Sequence, residues 1–478
     1  MSWRAAAPLR PPCPGALAAC SLPYRVTAAK GIMTELESWL KERGITEVEC
    51  VVADINGIAR GKILPGYKFL RTLSDGLRLP ESIFIQTVTG DYPDDDVIDP
   101  VDRDIRLRPD PATIRLVPWY EEATAQVISD CFHHDGSPVE ISSRHVLRRV
   151  LGLYAERGWK PVVSPELEFY LTKINEDPDY PLQPPVGRSR RAETGRSSYG
   201  IEAANEFDPV FEDVYDWCEA QEIDIDTLTH EAGAGQMEIN FNHGEPLALA
   251  DQAFLFKRTL RQAALKHGIY ATFMAKPMQG EPGSSMHIHQ SVYDAAGRNL
   301  FAGEAEGQPF SPFFLSYIAG LQKYLPAAMP LLAPNVNSYR RLRRYSTAPI
   351  NTHWSVENRT VGLRVPESGA EARRVENRVA GADANPYLAI AATLACGWLG
   401  VTQELEPTDP IKGSAYRLAQ TLPQQMPDAL KKLTASGPLR ECLGEDFVEV
   451  LLAVKQAEHE AYQNVISSWE REHLLLNV

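Results

Sequence analysis

Carboxylates and imidazoles recur in four short segments of this 478-residue chain, and arginines accompany them. The segments are Pro165-Glu166-Leu167-Glu168-Phe169, His230-Glu231 with Glu238 seven residues on, His287-Ile288-His289, and Glu376 beside Arg373, Arg374 and Arg378. Ligand sets rich in oxygen, with few histidines and no thiolate, suit Mg²⁺ or Mn²⁺ better than zinc. Arginines near such ions are what phosphoryl transfer from ATP needs, because that chemistry depends on positioning and charge neutralisation. The segments therefore predict an ATP-dependent enzyme.

Strand geometry would align the side chains within the first and third segments. Residues two apart on a strand share a face. Glu166 and Glu168 therefore point the same way if residues 162–170 form a strand, and the same holds for the two histidines on a strand at 285–292. A lone carboxylate pair of this kind is most often a solvent-facing strand edge. Apolar neighbours such as Leu167 favour a bound cation instead, because ionised carboxylates among apolar side chains usually need one.

Glycine-containing loops adjoin two of the segments. The glycines between Glu231 and Glu238 predict a tight loop that joins two ligand-bearing stretches, although an ordinary turn would account for them equally well. The loop Pro282-Gly283-Ser284-Ser285 precedes the histidines, and we expect its backbone N–H groups to lie close to a ligand. The alternative for the histidines is a pair of structural imidazoles whose hydrogen bonds are satisfied.

Composition excludes several classes of protein. A hydrophobic content of 44% and a charged content of 23% are ordinary for a globular chain, and the formal net charge of −15 argues against nucleic-acid binding. The longest apolar run, Tyr387 to Val401, is shorter than the ~20 residues that a membrane span needs. Seven scattered cysteines without a CxxC pair are typical of reduced thiols, so we expect a cytoplasmic protein without membrane partners.

The chain divides into three parts. Residues 1–32 are Pro-rich, basic and free of acids, which predicts a disordered extension translated from an upstream start, with a transit peptide as the alternative. Residues 33–133 predict a small β-rich domain with an opening helix at Met33 and a hairpin at the turn Asp54-Ile55-Asn56-Gly57. Residues 137–478 predict a catalytic domain in which helices back an antiparallel sheet, so the fold class is α+β.

Hydrophobic periodicity and capping signals predict the individual elements. In the small domain, strands are expected at 50–53, 82–88, 114–118 and 124–130, and a loop at 91–110. In the catalytic domain, a strand is expected at 160–172 and a loop at 175–198. Helices are expected at 142–157, 206–221, 246–267, 312–329, 384–402 and 445–468.

Six motifs resemble those of the glutamine synthetase family, in the family's order, between residues 45 and 478. They are Asp54-Ile-Asn-Gly, Pro165-Glu-Leu-Glu-Phe169, His230-Glu with Gly235-Gln-x-Glu238, Gly283-Ser-x-Met-His-x-His-x-Ser291, Asn358-Arg-Thr with Arg364-Val-Pro, and Arg374-Val-Glu-Asn-Arg378 with Ala384-Asn-Pro-Tyr-Leu388. The resemblance implies a β-grasp-like N-terminal domain and a glutamine-synthetase-type catalytic domain with a curved sheet. It also implies a homo-oligomer of stacked rings, a dodecamer, in which neighbouring subunits complete each active site.

The resemblance implies two sites for Mg²⁺ or Mn²⁺. One would consist of Glu168, Glu231 and Glu238. The other, on the nucleotide side, would consist of Glu166, His287 and Glu376. All six positions carry a metal-binding side chain, which argues against a catalytically silent member that serves only as a structural ring.

The resemblance also implies how the substrates are held. His289 and Ser291 match positions near ATP, and Arg359 and Arg364 match the arginines that clamp its phosphates. Arg341 and Arg378 match residues that grip the carboxylate of glutamate, with Gly283 in the loop over it, and Asp54 matches the aspartate of the ammonium site. The implied catalytic residues are therefore Asp54 and Arg359. The γ-carboxylate of glutamate would attack ATP to give γ-glutamyl phosphate, and an amine would then form the amide.

One departure from the family pattern bears on the amine. Members that use ammonia carry a glutamate in the active-site flap, which aligns with residues 339–349, and here that position is Thr347. A neutral, smaller residue leaves space for a substituent on nitrogen, and the pattern is similar to the γ-glutamylpolyamine (γ-glutamylputrescine) synthetase branch. We therefore expect glutamate and putrescine or another polyamine as substrates. Ammonia, with Asp54 sufficient, and other amines such as ethanolamine, alkylamines or anilines are the alternatives.

Overall fold

The computed structural model describes residues 35–93, 97–303 and 307–478, which form two sheets and a set of packed helices. The strands are β1 Glu47–Ala53, β2 Ala59–Pro65, β3 Leu77–Pro80, β4 Asp104–Pro109, β5 Arg115–Val117, β6 Thr124–Phe132, β7 Lys160–Lys173, β8 Ile225–His230, β9 Gln236–Phe241, β10 Ile269–Thr272, β11 Met286–Tyr293, β12 Trp354–Val356, β13 Leu363–Val365 and β14 Val375–Asn377. The helices are α1 at 35–42, α2 Gly66–Asp75, α3 Ser143–Glu156, α4 Ile201–Asn205, α5 Asp208–Ala220, α6 Pro246–Lys266, α7 Pro312–Leu332, α8 Pro386–Thr402, α9 Met426–Thr434, α10 Gly437–Leu443, α11 Glu445–Gln463 and α12 Ser468–Leu474.

The N-terminal sheet has the strand order β2-β1-β6-β4-β3, with β5 paired to β6. Strands β1 and β2 form the predicted antiparallel hairpin, in which Ala53 pairs with Ala59 across the Asp54–Ile58 turn. Gly57 adopts φ +74° in this turn, a conformation that residues with a Cβ avoid. The hairpin prediction is therefore confirmed.

The second sheet has the order β12-β13-β14-β11-β7-β9-β8, and β10 pairs with the end of β7. Its pairings are antiparallel except that between β12 and β13. The 14-residue strand β7 lies in the middle, with β11 on one side and β9 on the other. Helices α3 and α6 pack behind β7, so one face of the sheet is left for a site.

Polar contacts attach the N-terminal hairpin to the catalytic part. The backbone oxygen of Asp54 accepts from the side chains of Ser143, at 3.0 Å, and Asn385, at 2.9 Å. Lys455 on α11 is fully buried and donates to Glu458 at 2.8 Å and to Asn56. Buried charges need partners of this kind. The turn after β1 is therefore held by α3, α8 and α11.

Most predicted elements are confirmed, with shifts of a few residues at their ends, including the strand at 160–172 and the helices α3, α6, α7 and α8. The strand expected at 82–88 is wrong, because residues Glu81–Phe84 form a 3₁₀ turn that buries Phe84. The loop expected at 91–110 contains β4, in which Ile105 and Leu107 are buried between charged neighbours. The many acids in this stretch predict a loop and conceal the alternation of buried and exposed residues.

The C-terminal helix expected at 445–468 ends at Gln463. A new helix starts at Ser468, where Ser467 and Glu470 form a capping box. The extension at 1–32 lies outside the described residues, and the domain boundaries stay predictions. No helix in the described ranges is long and apolar enough to cross a membrane. The cysteines described there, Cys50, Cys131, Cys218, Cys396 and Cys442, are buried free thiols.

Helices α7 and α8 pack closely where two glycines face each other. A Cβ built on Gly400 would lie 2.1 Å from the backbone oxygen of Ser316, and one on Gly320 would lie 2.2 Å from that of Cys396. Backbone atoms cannot yield as a flexible side chain can, so any larger residue must push the helices apart. Both helices belong to the core behind the second sheet.

We expect Gly400→Ala to lower the free energy of unfolding by at least about 1–3 kcal/mol, the usual cost of overpacking a core. Gly152→Ala is the matched control, since Gly152 lies within α3 and a Cβ there would meet nothing within 4 Å. That control should be neutral or stabilise the protein by up to about 1 kcal/mol, because alanine favours a helix. Thermal unfolding of both variants checks the prediction, and equal melting temperatures would contradict it.

Candidate active site

Strand register brings the predicted ligands onto one face of the second sheet. On β7 and β11, Glu166 pairs with His287, and on β7 and β9, Glu168 pairs with Glu238. Cross-strand partners share a face, as do residues two apart on one strand. His289 pairs in turn with Glu376 on β14. The site is therefore built on four adjacent, hydrogen-bonded strands.

The first cluster consists of Glu166, His287 and Glu376, whose ligand atoms lie within 4.8 Å of one another. Oε1 of Glu166 lies 2.7 Å from Nε2 of His289, and Oε2 lies 3.3 Å from Nδ1 of His287. Burial would raise the pKa of Glu166, but hydrogen bonds to the two imidazoles outweigh it and hold the pKa well below its usual range. The structure thus brings together the three residues predicted for this site.

Glu376 is completely buried and pairs with two arginines. Nη1 of Arg364 donates to it at 2.9 Å, and Nη1 of Arg378 pairs with its other oxygen. Burial acts to raise the pKa of Glu376, but the charges of Arg378 and the two imidazoles lower it to about 2. Glu376 therefore holds in place the arginines predicted to bind phosphate and glutamate, Arg364 and Arg378.

A second cluster contains Glu168, Glu238 and His287, whose ligand atoms again lie within 4.8 Å of one another. Glu231 acts on this cluster through its charge, from the loop between β8 and β9. Burial and the charge of Glu168 raise the pKa of Glu231 to about 7, and the same causes raise the pKa of Glu238. These carboxylates repel one another in a buried setting, so the donor set fits a divalent cation such as Mg²⁺ or Mn²⁺.

The loop at Gly283 closes over this cluster. The backbone N–H of Ser285 donates to Glu168 at 2.8 Å, and the amide of Gln236 donates to the carbonyl of Gly283 at 3.0 Å. A Cβ on Gly283 would lie 2.4 Å from Cγ of Arg341. Only glycine therefore fits against the buried aliphatic part of the Arg341 side chain. Nη2 of Arg341 donates to Ala380 at 2.8 Å. The predicted glutamate-binding residues Gly283 and Arg341 are thus in contact beside the carboxylates.

A cavity of about 380 Å³ opens beside the first cluster and is lined by Glu166, His289 and Ser291. Arg374 lines it too, and Nε of Arg374 donates to Nδ1 of His289 at 3.3 Å. Arg374 is not among the residues predicted to bind ATP. Its place beside Glu376 in the sequence was the available signal, because β14 begins at the next residue.

Arg359 is exposed, and its positive charge lowers the pKa of Glu231, which places it on the Glu231 side of the site. Thr347 is also exposed and has φ +65°, which is rare for a β-branched residue. Its hydroxyl donates to the carbonyl of Ser346 at 2.5 Å. The side chain at the predicted flap position is therefore uncharged and exposed.

Asp54 lies at the N-terminal hairpin and not in the carboxylate clusters. Its side chain is completely buried and accepts from the N–H groups of Asn56 and Ile58 and from Nε of Arg60, each within 2.9 Å. Across the ranges that the structure describes, no hydrogen bond or ion pair joins Asp54 to either cluster. A single chain therefore does not bring this predicted residue to the site.

Residues 140–474 match the family model described as the glutamine synthetase catalytic domain. The chain belongs to the glutamine synthetase family. Gamma-glutamylputrescine synthetase PuuA of Escherichia coli (strain K12) is 35% identical over 449 residues, which cover 93% of this chain and 94% of that protein. Glutamate–isopropylamine ligase of a Pseudomonas species is 32% identical over 456 residues, or 91% and 96% of the two chains. The chain matches both proteins over nearly their whole length.

Solved structures agree with this assignment. Those of GmaS without ligand and of its ADP complex match with a TM-score of 0.79 and 28% identity, covering 92% of this chain and 99% of theirs. The expected glutamine-synthetase-type α+β fold is thereby confirmed.

For this glutamine synthetase family member, we expect Glu238→Gln to raise the melting temperature by a few degrees in the presence of a chelator. Because the pKa of Glu238 is raised, folding must either bury a repelled charge or bind a proton, and glutamine avoids both costs. It should also shrink the rise in melting temperature that Mg²⁺ produces, because ligand stabilisation scales with affinity. Scanning fluorimetry across a Mg²⁺ series measures both effects. Glu219→Gln, an exposed acid on α5, is the control and should change neither. A full Mg²⁺ response in Glu238→Gln would contradict the assignment of Glu238 to a metal site.

Proposed function

We propose that this protein is an ATP-dependent ligase that joins glutamate to an amine through γ-glutamyl phosphate. The observation that carries the proposal is the meeting of two carboxylate clusters at His287, with Arg364 and Arg378 held beside them by Glu376. Such a site combines cation ligands with fixed positive charge, which is what phosphoryl transfer needs. The family of the chain and the names of its relatives support the same class of reaction.

Two divalent cations, Mg²⁺ or Mn²⁺, are proposed as cofactors. One would be held by Glu166, His287 and Glu376, and the other by Glu168, Glu231 and Glu238. When bound, they would neutralise the charge of the ATP phosphates. The fit of the donor set rests on geometry, because the ligand atoms of Glu166, His287 and Glu376, and those of Glu168, Glu238 and His287, lie within 4.8 Å of one another in each group.

The side chains of this chain would bind and orient the two substrates. His289 and Ser291 line the cavity proposed for ATP, and Arg359 and Arg364 would hold its phosphates. Arg341, Arg378 and the Gly283 loop would hold glutamate. The γ-carboxylate attacks the γ-phosphorus and ADP leaves. The amine nitrogen then attacks the acyl carbon, phosphate leaves, and the nitrogen loses a proton. Activation is needed because a free carboxylate is a poor electrophile.

The amine is proposed to be putrescine or another polyamine. The neutral Thr347 at the flap position supports a substituted amine, since the carboxylate that would hold ammonium is missing there. The two curated relatives described above carry names that specify putrescine and isopropylamine, both substituted amines. Asp54 is proposed to complete the site of a neighbouring subunit in a ring-shaped homo-oligomer. This would explain why, in the described residues, it forms no hydrogen bond or ion pair with the clusters of its own chain.

Phosphate release from ATP, with glutamate and Mg²⁺, should be highest with putrescine or spermidine and low with ammonium. Ethanolamine and a monoalkylamine complete the panel. The physical reason is the absence of a flap carboxylate that would bind ammonium and accept its proton. Ammonium as the best substrate would contradict the role given to Thr347. No phosphate release with any amine would favour a protein that serves only as a structural ring.

Thr347→Glu should raise kcat/KM for ammonium by about 10²-fold, the lower end of what a positioned general base contributes. It should lower kcat/KM for the larger amines, because the longer side chain fills their space. Thr347→Gln is the matched control, since it has the same size without the charge, and it should lower use of the larger amines without a gain for ammonium. Steady-state phosphate assays compare the three proteins. Equal ammonium activity in the Glu and Gln variants would refute the charge argument.

A further inference from the structure

The carboxylate of Glu281 lies in the loop that precedes Gly283 and belongs to neither cluster. Its Oε2 accepts from Nη1 of Arg196 at 3.0 Å and from the N–H of Ala234 at 3.3 Å. The side chain of Glu281 is 20% exposed. Nζ of Lys276 binds the backbone carbonyl of Glu281, so this lysine also helps to fix the loop.

Hydrogen bonds join the loop of Glu281 to a loop that carries a predicted metal ligand. Ala234, whose N–H binds Glu281, belongs to the loop between Glu231 and Glu238. The carbonyl of the next residue, Pro282, accepts from the hydroxyl of Tyr170 at 2.8 Å. Glu281 therefore links the loop that precedes Gly283 to the loop between Glu231 and Glu238.

The ion pair between Arg196 and Glu281 is partly exposed to solvent. The guanidinium reaches across from the loop before α4, and its side chain is 62% exposed. Its Nη1 also donates to the carbonyl of Ala232, at 3.3 Å. An ion pair with one partner in solvent contributes little to stability and is screened by salt. A cation of the substrate can therefore take the place of Arg196 at little cost.

Resting on the ligase activity proposed above, we infer that Glu281 selects amines that carry a second cationic group. The distal ammonium of a diamine binds the Glu281 carboxylate and replaces the guanidinium of Arg196, while the other nitrogen attacks the acyl phosphate. The remaining carboxylates of the site are assigned to metal ions, whereas Glu281 faces a cation already. Glu281 would thus be the residue that selects α,ω-diamines and longer polyamines within the wider class of amines.

The test compares putrescine with n-butylamine, which has the same chain and a single nitrogen. In Glu281→Gln, KM for putrescine should rise by about tenfold, the loss of one charge-assisted contact. KM for n-butylamine, glutamate and ATP should change less than about twofold. In Arg196→Gln, the competing cation is gone, so KM for putrescine should fall. Wild-type protein gives a second measurement, since added salt should raise KM for putrescine more than for n-butylamine.

The outcomes separate this inference from the proposed function. An equal rise in KM for both amines in Glu281→Gln, or the same defect in Arg196→Gln, would mean that the pair only holds two loops together and would overturn the inference. Equal salt dependence for both amines in the wild type would overturn it even if the Gln variant failed to fold. Activity with n-butylamine and no preference for putrescine leaves the ligase in place and removes the role of Glu281. Absence of activity with all amines removes the ligase proposal itself.

Discussion

Buried negative charge is the constraint on which the rest of this structure depends. Carboxylates from β7, β9 and β14, with Glu231 from a loop, share one region of low water access, and they cannot all be ionised there without positive charge nearby. On one side that charge is built in, since Arg364, Arg378 and the imidazoles surround Glu376 and Glu166. On the other side, around Glu238, we propose that a bound cation supplies it. The proposed site would then have one part in which the chain provides the positive charge and one part in which a metal ion does.

The carboxylates are carried by a closely packed scaffold of strands and helices. Strand β7 receives hydrogen bonds on both edges, and the glycine contact between α7 and α8 allows their backbones to approach closely in the core. Thr347, at the predicted flap position, and the ion pair of Arg196 with Glu281 lie in loops that are partly exposed. The proposed metal ligands therefore lie mostly on strands, whereas the proposed choice of amine depends on loops that solvent can reach.

Much of the fold was predictable because its signals are local. The Asn-Gly hairpin, helix α3 and strand β11 follow from neighbouring residues. The predictions were wrong where local signals conflicted. The acids around β4 concealed two buried residues, Ile105 and Leu107. The stretch at 82–88 predicts a strand, whereas Glu81–Phe84 form a 3₁₀ turn. Short elements such as α9 and α10 carry too few residues for their periodicity to stand out.

The sequence by itself determined which side chains could bind a metal and that they share faces of strands, because strand alternation depends only on spacing along the chain. Tertiary structure decided which strands are neighbours, and hence that Glu166 pairs with His287 and Glu168 with Glu238. Register between segments that are 70 and 121 residues apart in the chain depends on the packing of the whole sheet. The same holds for Glu281 and Arg196, which are ordinary surface charges in the sequence and meet only because two distant loops fold over one site.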